Sequence, residues 1–261
     1  MADDDRERLA GGNMGVVVRV GDTVVRQAGD WTPSVHRLLN HLEAYDVPGV
    51  PRVQGRTSDG REVLSFLPGT VPSWPLPAWL WHEEALASGA RLLRRIHDAS
   101  AGADRTGPWR SPVHEPQEVV CHNDFATYNL VFDDDGMAVG AIDWDFASPG
   151  PRLWDLAYLA YRIVPMTTVD EGDGLTADER RQRLDLLLRE YGTDASPHEL
   201  AQVLHDRLLE LADFSDRMAD ELGRPELRDH AVQYRRDAGA LPKAWLGLRR
   251  SGPGGACAAG R

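Results

Sequence analysis

Residues 119–159 read VVCHNDFATYNLVFDDDGMAVGAIDWDFASPGPRLWDLAYL. Two apolar, β-rich runs flank an acidic turn, Asp133-Asp134-Asp135-Gly136. Such a pattern predicts a hairpin. His122, Asp124 and Asn129 precede the first run, and the second ends on Asp143 and Asp145. Strand ends beside loops let a rigid scaffold hold polar groups for chemistry. The hairpin is therefore expected to bring the carboxylates of Asp124 and Asp143 to a common site, with the Asn129 amide oxygen beside them.

That set of oxygens suits a hard cation. Mg²⁺ takes oxygen ligands, often one or two carboxylates together with substrate phosphates. Phosphoryl transfer needs such a cation, and it needs an Asp to accept the proton of the attacking hydroxyl. Asp124 is the candidate base; Asn129 and Asp143 are the candidate metal ligands. Asp145 is a secondary metal candidate, because alternation along an extended segment would put 143 and 145 on one side.

The loop H122-N-D124-F-A-T-Y-N129, followed by I142-D143-W-D145, resembles the aminoglycoside phosphotransferase and choline kinase superfamily of small-molecule kinases. The segment P149-G-P-R152-L-W-D155-L-A-Y-L-A also resembles that family, in which an Asp opens the helix after the metal loop. The resemblance implies a two-lobed, protein-kinase-like α+β fold. A small β-rich lobe would cover residues 1–68 and bind nucleotide. A larger, mostly helical catalytic lobe would cover 69–250, with a disordered Gly/Ala-rich tail at 251–261. It also implies ATP or GTP as co-substrate, with Mg²⁺. His122 would then support the loop rather than react, although a general-base role stays open for a residue that titrates near neutrality. Asp155 would tether the loop through hydrogen bonds.

Gly11, Gly12 and Gly15 precede Val16–Val20, and Gly21-Asp22 turns the chain into Thr23–Arg26. A Gly-containing two-residue turn between β-branched runs signals a hairpin. In a kinase-like fold it would be the glycine-rich hairpin over the nucleotide phosphates. Arg26 stands where such kinases carry a phosphate-binding lysine. The helix starting at Thr32-Pro33 would normally carry that lysine's Glu partner. Here His36 is the best-aligned residue and Glu43 lies further along, so the Lys–Glu pair is changed at both ends. Leu67-Pro68-Gly69 fits a hinge.

Further helices are expected at Glu83–Ala99 and near 176–191, 197–222 and 225–240. His97 reads as a packed residue, and Trp74, Trp79 and Trp81 read as packing residues before pocket residues. The acidic residues Asp206, Glu210, Asp213, Asp216 and Asp220 read as a solvated helix face before a substrate site.

A net charge of −12 argues against a nucleic-acid partner and favours approach of a cationic small molecule. No apolar run is long enough for a membrane helix. The acidic N-terminus is unlike a signal peptide. Two cysteines, Cys121 and Cys257, make no disulfide framework, so a cytoplasmic setting is expected. The function these features imply is transfer of the γ-phosphoryl group of a nucleotide to a hydroxyl of a small molecule, an antibiotic first. A metabolic alcohol such as choline, a sugar or homoserine is the alternative. A kinase-like immunity protein that sequesters a toxic compound without catalysis is the rival from another class. Metal-dependent hydrolysis is weaker, because the His and Cys ligand spacings it often uses are absent.

Overall fold

A computed structural model describes residues 6–9, 16–169 and 172–245. Gly11, Gly12 and Gly15, the 251–261 tail and Cys257 lie outside the described residues. Two compact units are present, residues 1–193 and 194–261.

The first unit opens with five strands: β1 (Arg6–Leu9), β2 (Val17–Val20), β3 (Thr23–Arg26), β4 (Val53–Arg56) and β5 (Glu62–Ser65). They form one antiparallel sheet in the order β1-β2-β3-β5-β4. β2 and β3 are the hairpin expected at Gly21-Asp22, while β1 was not expected. Helix α1 (Thr32–Ala44) follows β3, with Pro in its first turn and Val35, Leu38, Leu39 and Leu42 buried. Its cap position is Trp31 rather than Thr32, whose hydroxyl instead accepts from the Gly29 N–H at 2.8 Å.

Helix α2 (Glu83–Ser100) runs through the middle of this unit, with Leu86, Ala90, Leu93 and Ile96 fully buried. It packs on β6 (Val119–Cys121), on the hairpin of β7 (Leu130–Phe132) and β8 (Ala138–Ala141), and on α4 (Ala177–Tyr191). The hairpin expected around the acidic turn is present, with Leu130 opposite Ala141. β6 pairs with β9 (Ser148–Gly150), and α3 (Arg152–Ile163) follows directly. All three β7 residues are buried, which explains why the run is wholly apolar rather than alternating.

Two glycines seat the sheet on that hairpin. Gly49 has a φ of 75°, and a Cβ there would lie 2.0 Å from the Val139 carbonyl oxygen. Its own carbonyl accepts from the Ala141 N–H at 2.8 Å. Gly69, with φ of 138°, would put a Cβ 2.6 Å from the Phe132 oxygen. Beside it, Thr70 and Phe132 exchange two backbone hydrogen bonds of 2.8 Å. The Leu67-Pro68-Gly69 segment is thus zipped onto β7. Trp79 packs on Phe132, with ring centroids 5.1 Å apart, whereas Trp74 is exposed.

The second unit contains α5 (Pro197–Leu222) and α6 (Leu227–Trp245). Ser196 and Glu199 form a reciprocal capping box at the start of α5. Arg235 of α6 pairs with Asp213 at 2.9 Å and Asp216 at 2.7 Å, and Arg228 pairs with Asp220. Much of the acidic face of α5 is therefore matched by α6 arginines.

Candidate functional site

The loop between β6 and β7 is built from its own polar residues. Asp155, fully buried in the first turn of α3, accepts from the backbone N–H of His122 at 2.5 Å and of Asn123 at 2.7 Å. His97 Nε2 lies 3.2 Å from the same carboxylate, and its Nδ1 lies 2.7 Å from the Tyr191 hydroxyl. Burial pushes the Tyr191 phenol up to about 12, so it stays a donor. His97, Asp155 and Cys121 place ligand atoms within 4.8 Å of one another, the one such three-residue set among the described residues. The His and carboxylate atoms are already spent on hydrogen bonds within the fold, so this set reads as architecture.

His122 is also fully buried. Its Nε2 donates to the Ile142 carbonyl at 2.9 Å, and its Nδ1 accepts from the Asp124 N–H at 3.3 Å. Burial lowers its pKa, with the Asp155 charge opposing, so the ring is neutral near pH 7. A neutral ring bonded at both nitrogens to backbone orients the loop. The base role left open by the sequence has no nitrogen to perform it.

Asp124 projects from this frame. Its Oδ2 accepts from Asn129 Nδ2 at 2.8 Å, and its Oδ1 accepts from the Tyr128 hydroxyl at 2.7 Å. Asn129 Nδ2 also bonds the Asp124 carbonyl at 2.9 Å, so the amide oxygen is turned away from Asp124. Two non-glycine residues sit at left-handed φ around the site, Asn123 at 63° and Asp143 at 60°. Such conformations cost energy and collect where function over-determines the backbone.

Asp143 and Asp145 do not lie on an extended segment. A 3-10 turn at Trp144–Phe146 follows the left-handed Asp143. The two carboxylates nonetheless meet one cation. Arg26 Nη1 donates to Asp143 Oδ1 at 2.8 Å, and Arg26 Nη2 donates to Asp145 Oδ1 at 2.6 Å. Alternation was thus the wrong reason for a shared partner.

Arg26 does meet a buried carboxylate, but one on a strand and not on α1. Arg26 Nε donates to Glu62 Oε1 at 2.6 Å, and His36 Nε2 lies 2.8 Å from Glu62 Oε2. Glu62 is 1% exposed and stands directly opposite Arg26 in the β3–β5 register. The carboxylate has moved from the helix to the neighbouring strand, and His36 takes the helix position. Glu43 faces Arg52 instead, at 3.4 Å. Burial alone would make the guanidinium easier to deprotonate, but three carboxylates outweigh it and hold Arg26 firmly charged. Replacing Arg26 with Lys is expected to cost about 2 kcal/mol in urea unfolding, because one ammonium cannot reproduce the three-way fork. An unchanged midpoint would mean that the three contacts carry no net stability.

The sequence also gave no warning of Arg110. Its guanidinium lies between the rings of Trp31 and Phe146, 4.4 Å from each centroid, and 3.5 Å from Asp145 Oδ2. Burial raises the pKa of Asp145, with the Arg26 charge opposing it.

A five-stranded antiparallel lobe, a helical part carrying an Asp-x-x-x-x-Asn loop, and a cation reaching from the sheet to a following Asp define a kinase-like phosphotransferase architecture. The chain belongs to the phosphotransferase enzyme family (APH), whose family model matches residues 5–192. It is 36% identical over 200 residues to a trifolitoxin immunity protein of Rhizobium leguminosarum bv. trifolii, covering 72% of this chain and 75% of that one. The fold is shared with a choline/ethanolamine kinase family protein of Mesorhizobium loti at a TM-score of 0.63 and 20% identity, over 93% of this chain and 89% of that one. It is also shared with an amicoumacin kinase in complex with AMP-PNP, Ca²⁺ and Ami, at a TM-score of 0.66 and 11% identity, over 92% of this chain and 88% of that one. Among the described residues no helix is long and apolar enough to cross a membrane.

Proposed function

We propose that the chain is a nucleotide-dependent phosphotransferase acting on a hydroxyl of an antibacterial small molecule or toxin. The observation that carries this reading is the Arg26 guanidinium, which joins buried Glu62 to Asp143 and Asp145. Arg26 is in this reading the phosphate-binding cation of the sheet, and its ion pairs lie with the acids that follow the proposed catalytic loop. In this reading residues 1–68 form the nucleotide lobe and 69–250 the catalytic lobe. Asp124 accepts the proton of the acceptor hydroxyl.

The donor set fits Mg²⁺. Asp143, Asp145 and Asn129 offer oxygen alone, and the Asp143 side chain is 43% exposed while Arg26 engages one of its two oxygens. Asn129 spends its amide nitrogen on Asp124, which leaves its oxygen for another partner. Bound there, Mg²⁺ would neutralise charge on the transferring phosphoryl group. The immunity-protein relative supports an antibacterial acceptor over a metabolic alcohol.

The test is thermal unfolding with Mg-ATP and Mg-GTP, beside Asp143→Ala. A nucleotide at a hundredfold excess over its Kd stabilises the native state by about 2.7 kcal/mol. That gain is expected in the wild type and absent in the variant. A gain that survives in Asp143→Ala would remove Asp143 from the metal site.

A second reading has its own support. Arg26 is already neutralised by three carboxylates, and the 36% identical relative is named for immunity. A sequestering protein would bind its toxin equally well with and without nucleotide and release no ADP or GDP. Calorimetry with a toxin panel, combined with a nucleoside-diphosphate assay, separates the two.

A further inference from the structure

We propose that Tyr128 is a positioning residue that holds the Asp124 carboxylate closed to water until an acceptor hydroxyl displaces the Tyr128 hydroxyl. The inference rests on the phosphotransferase reading above. It deepens that reading by assigning a residue whose side chain the sequence pattern left without a role.

The geometry is specific. A carboxylate only accepts, so the 2.7 Å contact between the Tyr128 hydroxyl and Asp124 Oδ1 has Tyr128 as donor. The same hydroxyl lies 2.9 Å from the Tyr158 hydroxyl, which must then donate to it. Tyr158 is 3% exposed and fixed on α3, so the donor chain is anchored in the core. Tyr128 itself is 39% exposed. A hydroxyl donating to the base at hydrogen-bond distance is the relation an acceptor hydroxyl must adopt before transfer. With Asn129 Nδ2 on the other oxygen, each oxygen of Asp124 carries a protein donor. Each carboxylate oxygen has a second acceptor site, but an acceptor or a water approaching the Oδ1 lone pair held by Tyr128 must displace the phenol hydroxyl.

This matters because water competes with the acceptor in every phosphoryl transfer. If water reached Asp124, its oxygen would bond to the γ-phosphorus while its proton passed to the carboxylate. The bond between γ-phosphorus and the bridging oxygen would break, releasing nucleoside diphosphate and phosphate. A phenol already on Oδ1 blocks the water, whereas a tightly bound acceptor with further contacts can displace it. The ring is partly exposed, and to swing aside it gives up its hydroxyl contacts with Asp124 and Tyr158 and its place 5.7 Å from the Arg162 guanidinium.

The experiment needs no acceptor. Wild type, Tyr128→Phe and Tyr158→Phe are incubated with Mg-ATP or Mg-GTP, and release of inorganic phosphate is followed. Loss of one such hydrogen bond corresponds to about fivefold. Tyr128→Phe is expected to release phosphate at least about fivefold faster than wild type, with Tyr158→Phe in between. The gain is expected to vanish when Asp124→Asn is added to Tyr128→Phe. Equal melting temperatures for wild type and variant check that a faster rate does not come from a loosened fold. Equal rates in wild type and Tyr128→Phe, or a faster rate that persists without Asp124, would overturn the role of Tyr128. Absence of nucleotide-dependent stabilisation in the wild type would instead overturn the phosphotransferase reading itself.

Discussion

Asp124→Asn is expected to lower phosphoryl transfer by about 10²- to 10⁴-fold, the usual worth of a positioned general base. Asparagine has the same shape and keeps one acceptor for the two side-chain donors that Asp124 now receives from Tyr128 and Asn129. It cannot take a proton from an attacking hydroxyl. Asp124 is half-buried on a loop whose backbone is pinned elsewhere, by Asp155 and by the His122 ring. The unfolding midpoint is therefore expected to change by only about 1 kcal/mol, one hydrogen bond's worth. Nucleotide-dependent stabilisation is expected to persist, since Arg26, the proposed phosphate-side cation, spends its hydrogen bonds on Glu62, Asp143 and Asp145. The measurement is diphosphate release with an acceptor panel, alongside thermal shifts with Mg-ATP and Mg-GTP. Full turnover in the variant would remove Asp124 from the chemistry and favour a water-positioning or purely binding site.

The second large effect is on stability. Asp155→Ala removes the acceptor of two buried backbone N–H groups, on His122 and Asn123, and of His97 Nε2. All sit where solvent has no access, since Asp155, His97 and His122 are each 0% exposed. A buried donor that loses its partner costs about 1–3 kcal/mol. Breaking a buried network of this kind by removing one member costs about 3–5 kcal/mol. Against a total stability of about 5–15 kcal/mol, the variant is expected to unfold in much less urea, with a midpoint drop matching that loss. Asp155→Asn is expected to fall between the two, because its amide keeps one oxygen but turns an NH₂ toward a donor. Hydrogen exchange adds a local readout: the amides of residues 122 and 123 should lose protection first. If both variants stay within about 1 kcal/mol of wild type, the loop is held by its flanking strands and not by α3.

The hairpin of β7 and β8, the loop before it and the amphipathic helix α2 were legible because each is written in consecutive residues. Apolar runs around Asp133–Gly136 specify a turn locally, and α2 carries its buried stripe at helical spacing. Asp124, Asn129 and Asp143 could be named for the same reason: short spacing on a loop and the strand after it. The family resemblance added the position of Arg26. It also fixed an expectation about its partner that the fold corrects.

What the tertiary structure decided is everything made by residues distant in sequence. Glu62 becomes the partner of Arg26 only because β5 inserts between β3 and β4, which sets two residues 36 positions apart directly across from each other. No periodicity within either strand records that pairing. Arg110 reaches Asp145 from the connection after α2, held by two aromatic rings from separate segments. Asp143 and Asp145 share a cation through a left-handed residue and a 3-10 turn, a backbone path that the sequence Asp-Trp-Asp does not announce. Local propensity and spacing act over a few residues, and they were enough to name the acids and the loop on offer for chemistry. The fold alone decided which cations neutralise them and which hydroxyl caps Asp124, because those contacts exist only after strands and helices far apart in the chain are packed together.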